Sequence, residues 1–293
     1  MVASEDVRAR LGDLLGGSVE LARREDRWLA LGADLVGFAA GDSHEWARLV
    51  AEGRLLARWR AAGVAAPRVV HEDAALGVQV RERLHGLTGE VIEQRLFGGE
   101  RPDARGRFAD DAPLSAFGAR LAASYGELAA QIHAATPVEA AAALGLGPRA
   151  RVDVDAALAL LRADPVVAGP TIDAVERAMP WLVADTAASV VIHGDLHFHN
   201  LCTAEDGTIT GVFDVGDAGA DAPETDLQYV HSLGPRFVSI AVAAYGRPLD
   251  MASIRRAHLR TALDHILWHR QGMPRHASVV AWIAVAFDKL VER

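Results

Sequence analysis

The chain has 293 residues, a formal net charge of −9 and a hydrophobic content of 51%, which suits a folded protein with one large or two modest cores and excludes intrinsic disorder. A single cysteine, Cys202, excludes a disulfide scaffold, and the acidic balance argues against a nucleic-acid binder. No apolar run approaches the roughly 20 residues of a membrane span, and the polar N-terminus is unlike a signal peptide, so we expect a cytoplasmic protein without a membrane partner.

Residues 1–84 are predicted to contain most of the strands. Apolar spacing predicts a short helix over residues 1–16 and a second helix from an N-cap at Ser43 to about Gly63. Short apolar segments bounded by turn residues predict five strands, at Ser18–Ala22, Trp28–Leu31, Leu35–Ala39, Val69–His71 and Val78–Glu82. The expected order is helix, three strands, helix, two strands, with a natural boundary at His85-Gly86.

The remainder of the chain is predicted to be mostly helical. Leu114, Phe117, Leu121, Leu128 and Ile132 mark one long apolar helix face. Further helices are expected at three places, namely Val154–Leu161, Ile172–Leu182 and from about Asp226 to the end. Residues 98–111 are polar enough to form a loop, and residues 190–215 form a β-rich interlude between the helices.

One segment of this interlude carries a dense set of polar side chains. An apolar strand leads into His193-Gly194-Asp195-Leu196-His197-Phe198-His199-Asn200, and a second strand ends on Asp214. Eight acidic residues and no lysine or arginine lie between Asp195 and Asp226. Such uncompensated acid is tolerated when it is solvated, or when a metal ion or a cationic ligand binds there.

Phosphoryl transfer explains these residue types and their spacing. The reaction needs a carboxylate to take the proton of the acceptor hydroxyl, and oxygen ligands to hold Mg²⁺ against the phosphates. Asp195, at the mouth of its strand, can be the base. Asn200 offers an amide oxygen to the metal and Asp214 offers a carboxylate. A hairpin between the two strands is expected to bring Asn200 and Asp214 close together.

The motif His193-Gly194-Asp195-Leu196-His197-x-x-Asn200 resembles the catalytic loop of the aminoglycoside phosphotransferase and choline kinase-like family. Phe213-Asp214-x-x-Asp217-Ala218-Gly219, with Pro223-x-x-Asp226-Leu227 behind it, resembles the metal-binding segment of that family. The resemblance implies an α+β, two-lobed protein-kinase-like fold, with a small β-rich N-lobe at 1–84 and a larger, mostly helical C-lobe at 85–293. It also implies nucleotide-dependent phosphorylation of a hydroxyl on a small molecule.

The resemblance further implies roles for individual residues. Asp195 would be the catalytic base, and Asn200 and Asp214 would be the Mg²⁺ ligands. Glu52 lies where the family has the glutamate of its helix C. Arg83-Leu84-His85-Gly86 resembles the hinge, and the segment from Ala130 to His133 resembles the helix end before the catalytic loop. The residues expected at the nucleotide, ATP or GTP, are Glu52, Arg27, Glu82 and Leu84.

A second set of residues is expected to contact substrate or to support the loop, namely His193, His197, Asp217, His265, Trp268 and His269. Each also has a structural interpretation. A hydrogen-bonded loop histidine explains His193, solvation of the loop explains Asp217, and core packing explains the three residues from 265 to 269. A zinc site could be formed by His193, Asp195, His197 and His199, but it does not explain Asn200 and Asp214.

Other polar residues in this half of the chain are expected to be structural. Asp226 is expected to cap the following helix, and Cys202 to be a small buried apolar residue. Arg255, Arg256 and Arg260 are expected to form a solvated helix face.

The sequence departs from the family at the third strand. A kinase usually has a lysine there, held by the helix-C glutamate, but the expected position falls on Gly37 or Phe38, and Lys289 is the single lysine of the chain. Glu52 is predicted to face inward, where an unpaired carboxylate is costly. We therefore expect an arginine from another strand to meet it, the candidates being Arg23, Arg24, Arg27, Arg81 and Arg83.

The leading hypothesis is an O-phosphotransferase that uses ATP or GTP with Mg²⁺ and a small hydroxylated acceptor. The acidic catalytic segment favours a cationic acceptor such as an aminoglycoside or a basic peptide antibiotic. A metabolic acceptor, such as choline, another amino alcohol or a sugar, stays open. The missing lysine leaves a second hypothesis open, a pseudokinase-like module that binds without turnover.

Overall fold

The structure is a computed structural model, and it describes residues 5–24, 26–97, 113–184 and 186–291. The polar loop expected at 98–111 lies outside these residues. Helices and strands are labelled below in chain order over the described part of the chain.

The N-terminal part is a five-stranded antiparallel sheet with the order β1-β2-β3-β5-β4. Its strands are β1 Leu21–Arg24, β2 Arg27–Leu31, β3 Leu35–Ala40, β4 Val69–Asp73 and β5 Val78–Glu82. The predicted order of elements is confirmed, but β1 begins three residues later than expected. Its pairing with β2 runs from Leu21 opposite Ala30 to Arg24 opposite Arg27, so a tight turn sets where the strand ends.

The two faces of this sheet have different partners. Helix α1, Glu5–Leu15, covers one face with the fully buried Leu11, which packs with Ala30, Ala39, Val78 and Val80. Gly37 lies on this face, where an added Cβ would come within 2.5 Å of a Leu11 methyl carbon. Phe38 alternates to the opposite face, which looks toward the next helix. Of the two positions expected for the missing lysine, Phe38 is therefore the one that faces the site.

Helix α2, Ser43–Ala61, lies between β3 and β4 in the chain and carries Glu52 on its buried side. Its N-cap is Asp42, whose carboxylate accepts the Glu45 backbone N–H at 2.8 Å. The prediction of Ser43 as N-cap is wrong by one residue, because Asp42 is still extended and Ser43 is already helical. The buried side chains of α2 include Leu49, Leu55, Leu56 and Trp59, of which the last three pack into the core of the helical part.

The rest of the described chain is mostly helical, as predicted. The helices are α3 Gly89–Phe97, α4 Ala116–Ala135, α5 Ala141–Leu144, α6 Val154–Ala163, α7 Gly169–Leu182, α8 Pro235–Tyr245, α9 Met251–Trp268 and α10 His276–Leu290. One core joins the end of α2 to α4 and α8, and a second core joins α6, α7, α9 and α10. Cys202 is buried, as expected. None of the described helices has the length and apolar character needed to cross a membrane.

Two small antiparallel ladders form the β-rich interlude between α7 and α8. Strand β6, Val190–Ile192, pairs with β9, Gly219–Asp221, and β7, Leu201–Thr203, pairs with β8, Ile209–Val212. The loop between β6 and β7 and the loop between β8 and β9 lie next to each other, because Phe213 N–H donates to the Asn200 carbonyl at 3.0 Å. These two loops carry the predicted catalytic and metal-binding residues.

Candidate active site

Asp195 lies in the loop that follows β6, and both of its carboxylate oxygens are hydrogen bonded. Asn200 donates its amide N–H to Oδ2 at 2.8 Å and to the Asp195 carbonyl at 2.9 Å. Tyr229 donates its hydroxyl to Oδ1 at 2.6 Å. Gly194 has φ +86°, and a Cβ there would overlap the Asp217 backbone carbonyl. The loop therefore needs glycine at this position to aim Asp195 at the cleft.

The hairpin of β7 and β8 brings Asn200 and Asp214 to one end, as predicted. Leu201 pairs with Val212, so Asn200 lies beside Phe213, and Asp214 is the next residue along the chain. Asp214 is the single non-glycine residue with positive φ in the described chain, at 60°, and such strained backbone is typical of functional sites. The Asp214 carboxyl opens into the cleft but is surrounded by protein, and this burial raises its pKa despite nearby His193.

His193 supports the loop, as the structural interpretation expects. Its Nε2 is 2.9 Å from the Phe213 carbonyl oxygen, its Nδ1 accepts the Asp195 backbone N–H at 3.3 Å, and its ring stacks on Trp59. Both ring nitrogens are thus engaged within the protein. Among the described residues no group of three or more histidine, cysteine or acidic side chains could hold a metal ion. The zinc-site alternative therefore fails in this part of the chain.

Asp226 clamps the catalytic loop, and the prediction that it caps a helix is wrong. Its fully buried carboxylate accepts the backbone N–H groups of His193 at 2.9 Å and Gly194 at 2.8 Å. His133, at the end of α4, lies 2.9 Å from the same carboxylate. Burial opposes ionisation of Asp226, but His133 and the loop N–H groups lower its pKa below the ordinary value. The sequence separation of over 30 residues hides this contact from local pattern.

Tyr229 is a residue of the site that the sequence did not single out. It follows Asp226 by three residues, in the short turn after β9. Burial raises the pKa of its phenol well above the ordinary value, and the adjacent Asp195 carboxylate raises it further. The phenol therefore stays protonated and can only donate to Asp195 Oδ1. Its sequence gives no signal for this role, because a lone tyrosine in a helical region usually packs in the core.

Glu52 is met by two arginines from two different strands. Arg81, on β5, donates to Glu52 Oε2 at 2.8 Å, and both side chains are only 4% exposed. Arg27, on β2, donates to Oε1 at 2.7 Å and to Oε2 at 3.2 Å. The Arg81 guanidinium also lies 4.5 Å from the centre of the Phe38 ring. Two of the expected candidates thus flank the strand position that lacks a lysine.

A third arginine, which the sequence did not indicate, extends this cluster toward the other lobe. Arg48 donates to Glu45 at 3.1 Å and to the Gly216 carbonyl at 3.2 Å, and Arg27 also pairs with Glu45. A Cβ on Gly216 would lie 3.7 to 3.9 Å from Glu52 Oε1, Arg48 Nη2 and Asp214 Oδ1. The arginine cluster and the Asp214 carboxylate therefore converge on one small volume.

The charges of this cluster do not cancel. Three guanidinium groups, of Arg27, Arg48 and Arg81, face the two carboxylates of Glu45 and Glu52. Burial opposes the ionisation of Glu52, but Arg81 and Arg27 lower its pKa, so it is a carboxylate. This excess of one positive charge lies next to the Asp214 carboxylate, which balances it, and guanidinium groups at such a point can hold a phosphate chain.

The predicted hinge residues lie at the end of β5. The Glu82 carboxylate accepts from Arg68 Nε at 2.9 Å and also pairs with Arg60, so its side chain points away from the cleft. Leu84 packs beside β8, where a Cβ on Gly211 would come within 2.5 Å of a Leu84 methyl carbon. The Leu84 side chain is half-buried in this position.

On the other side of Asp195, α9 and the loop present a group of histidines. The rings of His197 and Tyr229 are 4.7 Å apart, and His265 stacks on His269 at 5.8 Å. Burial lowers the pKa of His197 to about 3 and that of His265 to about 4, so both are neutral at physiological pH. Trp268 is 64% exposed, so the core-packing interpretation is wrong for it.

Two acidic side chains flank this group. Asp217 is exposed at the cleft, and Asp264, on α9, interacts with it electrostatically and is hydrogen bonded to Trp268. Burial raises the pKa of Asp264, although Trp268 and Arg149 oppose the change. Asp264 was not among the predicted site residues, because its sequence context is an ordinary helix. These two residues place anionic charge close to Asp195.

The expectation of a solvated arginine face on α9 is wrong. Arg256 is buried and donates to the Ser253 hydroxyl at 2.9 Å. Arg260 donates to the carbonyls of Leu182 and Ala184, which end α7, at 2.6 and 2.8 Å. Arg255 is half-buried against a cavity. The arginines are inward because α9 packs on several elements at once, which leaves it little solvated surface.

Comparison with known proteins agrees with this geometry. The model of a phosphotransferase enzyme family matches residues 38–257. No curated protein matches the sequence. Among solved structures, the macrolide 2'-phosphotransferase of Brachybacterium faecium is 24% identical, covers 94% of this chain and 98% of its own, and has a TM-score of 0.62.

Two aminoglycoside phosphotransferase structures are similar to the same extent. The GDP complex of aminoglycoside 2'-phosphotransferase-IIIa is 18% identical, covers 99% of both chains and has a TM-score of 0.61. The streptomycin-ATP complex of APH(2")-IIa is 13% identical, covers 100% of this chain and 99% of its own, and has a TM-score of 0.62. These likenesses show the fold, and the family match spans the catalytic and metal-binding loops. The chain belongs to the phosphotransferase enzyme family and has its two-lobed, kinase-like fold.

Proposed function

We propose that this protein transfers the γ-phosphate of ATP or GTP to a hydroxyl of a small cationic molecule. The observation that carries this proposal is the arrangement of Asp195, Asn200 and Asp214. Asp195 is held through both carboxylate oxygens in a loop that opens into the cleft, and the hairpin places Asn200 and Asp214 beside it. A base next to two hard oxygen ligands is the minimum that phosphoryl transfer requires of a protein.

In the reaction that we propose, Asp195 takes the proton from the acceptor hydroxyl. The acceptor oxygen forms its bond to the γ-phosphorus while the bond from that phosphorus to the β-phosphate bridging oxygen breaks, and the nucleoside diphosphate leaves. Asn200 and Tyr229 fix the Asp195 carboxylate, so that the carboxylate does not reorient before it accepts the proton.

Asn200 and Asp214 are the residues that would hold Mg²⁺. The amide nitrogen of Asn200 is used by Asp195, which leaves the amide oxygen as its metal ligand, and Asp214 supplies a carboxylate. Two such ligands suit a Mg²⁺ ion whose remaining sites are filled by water and phosphate oxygens. When bound, the ion neutralises charge on the phosphates.

The nucleotide would lie between the sheet and the loops, with residues 1–84 covering it and residues 85–293 carrying the catalytic and acceptor groups. Arg27 and Arg81, fixed by Glu52, take the place of the absent lysine beside the phosphates. The base would meet the backbone at Glu82 and Leu84. A nucleoside triphosphate donor makes the cytoplasm the location that we propose.

The acceptor would bind on the α9 side of Asp195. Asp217 and Asp264 supply negative charge there, and the neutral imidazoles of His197 and His265 supply polar walls, next to His269 and the exposed Trp268. This combination favours a hydroxylated cation, because an exposed indole and a carboxylate both attract cationic groups. Antibiotics of the aminoglycoside class, and basic peptide antibiotics, have this chemistry.

The test measures nucleotide consumption with Mg²⁺ against a panel of hydroxylated molecules, including aminoglycosides, macrolides, basic peptides, choline and sugars. We expect turnover with a cationic acceptor. Asp195→Asn should lower kcat at least about 100-fold while nucleotide affinity stays within about twofold. Asp206→Asn, an exposed aspartate in the turn between β7 and β8, is the matched control and should not change kcat. Full activity of Asp195→Asn, or turnover of neutral acceptors alone, would overturn the proposal.

A further inference from the structure

A second cavity, of about 540 Å³, lies in the helical lobe among α8, the start of α9 and the end of α10. Its lining comes from these three helices and from the turn Val230–Leu233, and it includes none of the residues of the cleft described above. Its size is in the range of cavities that bind small organic molecules. Nothing in the proposed phosphoryl transfer uses this cavity.

The charged residues that line this cavity are both cationic. Arg255, on α9, and Lys289, the single lysine of the chain, face it, together with His231 and the Ser239 hydroxyl. Among the described residues no carboxylate lines it, although the whole chain carries a net charge of −9. The cavity therefore has the opposite sign from the protein as a whole and from the acidic segment near Asp195.

Two of its polar groups lack partners within the described part of the chain. The Nε atoms involved, His231 Nε2 and Arg255 Nε, are both inaccessible to solvent and have no hydrogen-bond partner there. The guanidinium of Arg255 also has no ion pair among those residues. Buried polar atoms without partners are rare in native proteins, and the rest of the Arg255 side chain is half-buried and lines the cavity. These two nitrogens are closed off from the cavity, so a ligand there would meet the remaining part of the Arg255 guanidinium, which has no ion pair among the described residues.

The rest of the wall is apolar. Val238 and Val242, on one face of α8, and Met251 and Leu290 line the space beside the cationic groups. Met251 is 38% exposed and forms part of the open rim of this apolar wall. A ligand that fits both halves has a compact apolar body and one anionic head.

We propose that this cavity binds a small organic anion, with its carboxylate or phosphate head on Arg255, Lys289 and His231 and its apolar body against α8. The head would accept from the Arg255 guanidinium, as carboxylates and phosphates do in bidentate arginine contacts. The Lys289 ammonium, whose described neighbour Asp288 lies 3.7 Å away, would add charge from the open side.

The test uses the full-length protein with ADP and Mg²⁺ at saturation. ADP then occupies the nucleotide cleft, so that the phosphate-containing probes do not bind in its place. Hexanoate, hexyl phosphate, inorganic phosphate and neutral hexanol are titrated by calorimetry, and amide hydrogen exchange locates the site. We expect hexanoate or hexyl phosphate to bind and to protect residues 231–243 and 286–291, and hexanol not to bind. The stronger of the two anions identifies which head group the site prefers.

Arg255→Met and Lys289→Met should each weaken this binding at least about tenfold. Arg177→Met, an exposed arginine on α7, is the matched control and should leave it unchanged. Phosphotransferase activity separates this proposal from the proposed function, since both variants should keep it. Absence of binding by every anion, equal binding of hexanol, or unchanged affinity in Arg255→Met would overturn the proposal.

Discussion

The pair of Arg81 and Glu52 gives the sharpest test of how this protein manages without a strand lysine. Both side chains are 4% exposed, and Arg81 also donates to the Gln79 side-chain oxygen at 2.6 Å. Arg81→Met keeps an unbranched apolar stem but removes the guanidinium and its charge, which leaves Glu52 buried with Arg27 alone. Removing one partner of a buried ion pair typically costs about 3–5 kcal/mol, and we expect a loss of this size in the free energy of unfolding.

The same substitution should lower nucleotide affinity, because Arg81 belongs to the cluster that replaces the lysine. Urea unfolding of Arg81→Met, Glu52→Gln and the double variant forms a double-mutant cycle. The double variant should be more stable than the sum of the two single losses predicts, by about 1–3 kcal/mol. The reason is that each single variant leaves one buried charge without its partner, whereas the double variant removes both charges. Arg83→Met, on the adjoining exposed segment, is the control. A loss below about 1 kcal/mol in Arg81→Met, or strict additivity in the cycle, would refute the reasoning.

Three further outcomes follow from the structure. Tyr229→Phe removes the 2.6 Å donor to Asp195 and should lower kcat about 10- to 100-fold, since a hydrogen bond to a charged group contributes about 1.5–3 kcal/mol, while steady-state kinetics should show the KM for nucleotide within about twofold. Asp226→Asn replaces an acceptor of two loop N–H groups and should cost about 3 kcal/mol in urea unfolding; an unchanged midpoint would contradict the clamp. His258 accepts the Trp282 indole N–H at 3.1 Å, and burial lowers its pKa to about 3 from 6.5. Between these two pH values the unfolded chain binds a proton that the folded chain does not, so the free energy of unfolding should fall as pH falls, by up to about 1.4 kcal/mol per pH unit, and a His258→Gln variant with the same slope would refute this.

The proximity of the proposed catalytic residues was predictable, because the chemistry of phosphoryl transfer constrains residues that are close in sequence. Asp195 and Asn200 lie in one loop, and Asp214 lies one hairpin later, so local spacing nearly determines their proximity. The alternation of strands and helices was predictable for the same reason, since apolar periodicity is a local property. Element ends were less so, as the N-cap at Asp42 shows.

The partners of these residues were not predictable. Which of five candidate arginines meets Glu52 depends on the order of strands in the sheet, which places β2 and β5 on either side of β3. Tyr229 and Asp226 act on a loop more than 30 residues away. A local sequence pattern does not reveal such long-range contacts. An aspartate such as Asp226 can cap a helix or bind the backbone of a distant loop, and the residues around it are the same in both cases.

The family, the candidate base and metal ligands that we propose, and the absence of a lysine on the third strand could all be read from the sequence alone. Only the tertiary structure decided that Arg27 and Arg81 both meet Glu52, that Arg48 bridges the lobes, and that Arg255 and Lys289 share a cavity. The physical reason is that composition and local spacing fix which charges the chain has. Packing across the sheet and between helices decides which opposite charge each charged side chain contacts, and whether it contacts one at all.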